Sequence, residues 1–277
     1  MSVTDGFGQA PLGRDVSMRA PGAETAMRQL QREHSVKTRY DGRFVQSIDG
    51  REGGTQQGRP VDWFYFVNGE EAKVGAAEQV LHRGDSVWWV RRDWGAATHV
   101  PAVVGQWPHP FVEKERQAGR VQLDCIGEGG GSDEPCDRVR AALERIGAEA
   151  TTGPGTAGSA RLRVVVGEWR SIRSSADVAQ LESGPGTSGV YVVPERTGTS
   201  LSVLDPAGRT AARLRAGTGL VAATAATGGG VVWIVSGLGQ AGVSAAAKAL
   251  NTKALNHRYA LVVRSDGVTL AAPQVSR

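Results

Sequence analysis

Nowhere does this chain string together the roughly 18 to 20 apolar residues that a membrane-spanning helix requires, so the sequence reads as a soluble protein. Runs of five or more basic residues are missing too. The formal net charge of +4 over 277 residues comes from dispersed Lys and Arg, which argues against nucleic acid and licenses only a mild preference for anionic ligands or surfaces. The opening Met1-Ser2-Val3-Thr4-Asp5 has neither the basic stretch nor the apolar core of an export leader. From that segment we expect either a cytoplasmic protein or a mature one whose leader has been removed.

Common catalytic signatures are missing as well. There is no G-x-S-x-G elbow and no H-E-x-x-H helix, and His34, His82, His99, His109 and His257 are scattered with no two on one helical face. The glycine loops at 153–158 and 184–189 end without the lysine that reaches a bound phosphate, so they read as flexible connectors. Arg83-Gly84-Asp85 reads as a turn rather than an adhesion motif. These gaps lead us to expect a protein without catalytic residues, metal or cofactor.

What the chain concentrates is aromatic side chains. The segment Tyr40 to Phe111 holds 11 of its 16 Phe, Trp and Tyr residues, more than one small core usually needs. Asp62-Trp63-Phe64-Tyr65-Phe66-Val67-Asn68-Gly69 reads as a strand and turn, and Asp85 to Arg92 as a second strand. Alternation sets Trp63, Tyr65 and Val67 against Phe64 and Phe66, and Val87, Trp89 and Arg91 against Ser86, Trp88, Val90 and Arg92. The first strand is apolar on both faces and is therefore expected to be central.

Cysteine occurs twice, at Cys125 and Cys136, either side of a Gly-rich loop between a strand end and a helix start. Such an isolated pair reads as a disulfide; the alternative is two unrelated buried thiols. A bridge would persist only in an oxidising compartment, which places the protein outside the cytoplasm.

Before the aromatic block come a short strand at 2–7, an amphipathic helix at 24–33, and extended runs at 36–40 and 43–48 divided by Asp41-Gly42; 50–60 is expected to be a loop. A small sheet around one helix is the β-grasp arrangement. Here Phe44-Val45-Gln46-Ser47-Ile48-Asp49-Gly50, Trp63 to Gly69, Gly75-Ala76 and the closing Gly84-Asp85-Ser86-Val87-Trp88-Trp89 together resemble the transcobalamin-like C-terminal domain family, over about a third of the chain. The whole chain is similar to actinobacterial lipoprotein-like proteins carrying that domain, but without their leader and lipobox cysteine. The resemblance implies an exported, lipid-anchored precursor and a surface forming one wall of a cobalamin site. The helical domain that supplies the other wall in transcobalamins has no counterpart here.

The C-terminal part alternates strands with helices: strands at 121–125, 162–166, 190–193, 201–204, 231–235 and 259–263, helices at 133–146, 177–181 and 241–250. Gly237-Leu238-Gly239-Gln240-Ala241-Gly242 has the spacing of a dinucleotide fingerprint, but too little chain follows for further βα units. It is therefore read as a tight strand-to-helix connection.

The resulting expectation is an α+β or α/β protein: a β-grasp domain at 1–110, a linker at 111–120 and a mixed α/β sandwich at 121–277. Trp63, Tyr65, Trp88, Arg91, Arg92, Trp94 and Trp107 are the expected ligand-binding residues, since rigid rings offer apolar contact and arginine pairs with anions; the alternative assigns most of these rings to the core and to the interface with the second domain. On that reading, substituting Trp94 and Arg92 leaves the fold intact. The expected function is extracytoplasmic binding of a cobalamin-like or other bulky polar ligand. The alternatives are an interaction module of an envelope or transport complex, and an enzyme of unidentified class.

Overall fold

The computed structural model describes residues 1–13, 15, 24–40, 42, 44–112, 121–127, 134–152 and 162–275. Asp41 of the expected turn, most of the 111–120 connector, the loop before Cys136 and the 153–158 loop lie outside them. The described residues form a mixed α+β protein rich in strands, with short helices. None of these helices is long and apolar enough to cross a membrane.

The first unit contains β1 (Ser2–Asp5), β2 (Ala10–Pro11), β3 (Glu24–Thr25), α1 (Ala26–Glu33), β4 (Val36–Arg39), β5 (Phe44–Ile48), β6 (Arg51–Glu52), β7 (Gly54–Gln56), β8 (Arg59–Val67), β9 (Glu70–Glu71), β10 (Val80–Leu81) and β11 (Val87–Asp93). Its main sheet runs β2-β1-β11-β8-β7. β1 and β11 lie parallel at its centre, with Ser2 opposite Trp88 and Asp5 opposite Arg91. First and last strands side by side, with a helix across one face, give the expected β-grasp arrangement. Thr25 caps α1 by accepting a hydrogen bond from the Arg28 amide. The 50–60 segment is not a loop: it supplies β6, β7 and the start of β8. β6 and β7 are exposed throughout, so they carry no apolar alternation to betray them.

The second unit contains β12 (Val121–Ile126), α2 (Glu134–Arg145), β13 (Ala150–Thr152), β14 (Leu162–Glu168), α3 (Trp169–Ile172), α4 (Ala176–Ala179), a 3-10 turn (Gln180–Ser183), α5 (Pro185–Ser188), β15 (Val192–Pro194), β16 (Leu201–Leu204), β17 (Thr210–Leu214), β18 (Gly219–Ala225), β19 (Val231–Gly237), α6 (Gln240–Lys248), α7 (Thr252–Leu255), β20 (Ala260–Val263) and β21 (Thr269–Ala272). A seven-stranded sheet in the order β13-β12-β14-β19-β18-β20-β21 forms its backbone. The strands from β13 to β19 are parallel and the remaining pairs antiparallel. Cys125, near the end of β12, and Cys136, in the first turn of α2, are joined as a disulfide.

Side-chain alternation assigns each strand face to a core. Val231, Trp233 and Val235 face α2 and α6, while Val232 and Ile234 point the other way. In the first unit Trp63, Tyr65, Val87 and Trp89 meet Ala26, Met27 and Leu30 of α1. Phe66, Trp88 and Val90, on the opposite face, join Tyr191, Tyr259, Ile234 and Val262 in a core common to both units. The two sheets thus share one apolar layer.

Candidate functional site

Buried between two apolar layers, the aromatic strands have little surface to offer. Trp63 and Tyr65 are 6% and 8% exposed, and both are anchored: Trp63 Nε1 donates to the Arg51 carbonyl at 2.8 Å and Tyr65 Oη to that of Val74 at 2.7 Å. Tyr65 stacks on Trp89 with ring centroids 4.7 Å apart, and burial pushes its phenol well above the ordinary range. Trp88, on the other face, is fully buried, donates to Thr4 Oγ1 at 2.8 Å and stacks on His257. Trp107 sits on the far side of the large sheet, tilted against Trp233 at 5.7 Å. Only Trp94 is half-buried, its Nε1 donating to Asp62.

Four of the five expected ring positions, Trp63, Tyr65, Trp88 and Trp107, therefore occupy three different cores and do not form one ligand surface. Both faces of the sheet are covered, one by α1 and one by the second unit. Arg91 and Arg92 are brought together. Adjacent in β11, they line an open cleft of about 510 Å³ where the β-grasp sheet meets the second unit. Arg59, Gln56, Gln57 and Phe7 contribute from the first unit, Pro206 and Val275 from the second.

The cleft's charges are held in place. Arg91 forks onto Asp5, with Nη2–Oδ2 at 2.6 Å and Nε–Oδ1 at 3.1 Å, and donates Nη1 to the Glu52 carbonyl. Arg59 pairs with Asp93 at 3.2 Å while keeping about a third of its side chain exposed. Arg92, 1% exposed, lies over the Phe64 ring at 3.8 Å and donates to the carbonyls of Ala97 and Thr98. Its burial corrects the expectation that Arg92 can be replaced without harm: loss of the guanidinium would orphan two carbonyls and the nearby Glu71.

Sequence reasoning missed Asp5, Phe7, Gln56, Gln57 and Arg59. Gln56, Gln57 and Arg59 lie in the segment read as a loop, and Asp5 reaches Arg91 only through the parallel pairing of the first and last strands. No local pattern announces that contact.

The glycine motif at 237–242 joins β19 to α6, as expected. A side chain at Gly237 would come within 2.3 Å of the Gly242 carbonyl carbon, and one at Gly242 within 2.3 Å of the Thr218 carbonyl oxygen. These glycines allow helix and sheet to touch.

Comparison with known families bears on the first unit. Residues 23–91 match the family model Domain of unknown function (DUF4430). The DUF4430 match takes in α1, the β4–β5 hairpin and the aromatic strands as far as Arg91, the same elements that carry the transcobalamin-like resemblance. It covers about a quarter of the chain, leaving β1 and the whole second unit outside DUF4430. No curated protein matches the chain.

Proposed function

We propose that the protein is a non-catalytic, extracytoplasmic binding protein that takes a bulky polar ligand, a corrinoid foremost, in the cleft between its two units. The observation that carries this reading is the cleft itself. Its volume of about 510 Å³ falls in the range of small-molecule sites, and it is formed at a junction of units, where such sites concentrate. Its walls offer a partly exposed guanidinium on Arg59, two side-chain amides and apolar contact from Val61, Pro206 and Val275. Pro206 and Val275 stand where a partner domain would have to supply the second wall.

Two further observations favour the proposal. The Cys125–Cys136 bridge suits an oxidising compartment, consistent with export and with a lipid tether on a precursor. Few large apolar side chains are exposed among the described residues, namely Tyr40, Val74, Val80 and Val268, whereas a protein-docking module favours a broad apolar patch.

Calorimetric titration with cyanocobalamin tests the proposal. We expect saturable binding, weakened at least tenfold by Arg59→Ala. Absence of saturable heat would remove the corrinoid from consideration. Equal binding by wild type and Arg59→Ala would move the site away from the cleft.

A further inference from the structure

Beside Phe7 at the cleft wall lies a group of buried donors that the fold does not satisfy. The Arg92 Nε–H meets no acceptor among the described residues, although both terminal nitrogens are engaged. Tyr191 and Tyr259, 0% and 3% exposed, likewise carry hydroxyls with no hydrogen-bond partner. Orphaned polar atoms at this depth are rare in native proteins. Here three belong to one neighbourhood: Phe7 stands edge-on to both rings, 5.2 Å from Tyr191 and 5.1 Å from Tyr259, and it lines the cleft together with Arg92. The charges of Arg92 and Glu71 act on both phenols, and burial raises the pKa of each, so both stay protonated and able to donate.

None of the neighbouring acids bonds the Arg92 Nε–H or either hydroxyl, and each has other partners. Glu71 Oε2 already takes the Val100 amide and lies 3.1 Å from His99 Nδ1, while Oε1 is 3.6 Å from Arg92 Nη2. Asp5 is engaged by Arg91, and Asp93 by Arg59 and the Gly95 amide. An Arg Nε–H can only donate. The group that completes this set must therefore present acceptor oxygens, and beside a guanidinium a carboxylate is the strongest such group.

We propose that Arg92, Tyr191 and Tyr259 form an inner subsite that takes the carboxylate of a ligand whose bulk lies in the cleft, with Phe7 as the side chain that moves to admit it. The proposal rests on the cleft-binding reading above. Phe7 lies between the cleft and both tyrosine rings, and its φ of +59° is uncommon for a residue with a bulky side chain. It sits between Gly6, which has open space around it, and Gly8, whose backbone is pressed so closely on the His257 carbonyl that a Cβ would lie 2.1 Å from its oxygen. The turn is pressed close at Gly8, whereas Gly6 has room beside it and is held through its amide by the Arg91 carbonyl and Asp5 Oδ1.

The test titrates acetate, the minimal carboxylate, into the full chain and into the Tyr191→Phe/Tyr259→Phe double variant, with melting curves of both. The double variant removes two oxygens and keeps both rings in the core. We expect saturable acetate binding with a dissociation constant on the order of millimolar for so small a ligand, weakened at least tenfold in a double variant that melts no lower than wild type. Equal binding by both proteins would overturn the subsite. So would a wild type that binds no acetate, whatever the melting temperature of the double variant. Neither result touches the cleft, which the cyanocobalamin titration against Arg59→Ala judges separately. If the double variant does not fold, Phe7→Ala replaces it: freer access should strengthen acetate binding, and unchanged binding would overturn the proposal.

Discussion

Arg92 and Glu71 form a buried ion pair at the junction of the two units, Nη2 to Oε1 at 3.6 Å, with the residues 1% and 8% exposed. The pair ties the end of β11 to β9, and through the Ala97 and Thr98 carbonyls and the Val100 amide it fixes the chain that leaves the sheet. Removing one partner strands the other charge. Arg92→Leu is expected to cost about 3–5 kcal/mol in urea denaturation. A loss below 1 kcal/mol would mean that the guanidinium is dispensable.

The same pair has a pH signature. Burial raises the Glu71 pKa, opposed by Arg92, the Val100 amide and His99. A carboxyl whose folded pKa lies above its unfolded value contributes stability that is fully present below the unfolded pKa and is lost as pH rises through the folded one. The stability of wild type relative to Glu71→Gln should therefore decline as pH rises from the ordinary carboxylate range. A difference that is flat or grows over that interval would refute the assignment.

Trp88 and Trp94 should separate sharply. Trp88 is fully buried in the layer shared by both units, so Trp88→Ala should cost about 3–5 kcal/mol. Trp94 is half-buried and contributes its hydrogen bond to Asp62, so Trp94→Ala should cost about 1 kcal/mol. Chemical denaturation of the two variants checks the ranking, and equal losses would contradict the placement of these rings.

The disulfide joins residues 11 apart and closes a short loop between β12 and α2. Reduction should lower stability by about 2–3 kcal/mol, visible as a lower melting temperature in calorimetry with a reductant. An unchanged transition would show that the bridge does not constrain the unfolded chain.

Much of this architecture was legible in the sequence because apolar alternation is a direct record of covered faces. β8 and β11 showed apolar side chains on both sides, and both sides are packed. β18 was not legible: Ala222 and Ala223 are fully buried on opposite faces of the central sheet, yet an alanine-rich run has neither the bulk nor the branching that marks a strand. β17 escaped notice because much of it is exposed, and β21 because only Ala272 of its four residues is buried. At the site, the sequence pointed to Arg91 and Arg92 but left the rings beside them open between a ligand surface and the core. Composition does not distinguish a ring that faces a ligand from one that faces a second unit. Nor does it foretell that Phe7 will meet Tyr191 and Tyr259, contacts made only by the folded chain.

The central claim is that ligand occupies the cleft between the units, and a single-thiol probe tests it most directly. Both cysteines are tied in the disulfide, so Gln57→Cys can carry an environment-sensitive fluorophore at the cleft wall, with Val268→Cys, exposed in the second unit, as the control. Titrated with cyanocobalamin, the label at position 57 should give a saturable change, while the label at 268 shows only the linear loss caused by ligand absorption. Matching linear responses at both positions would contradict the account.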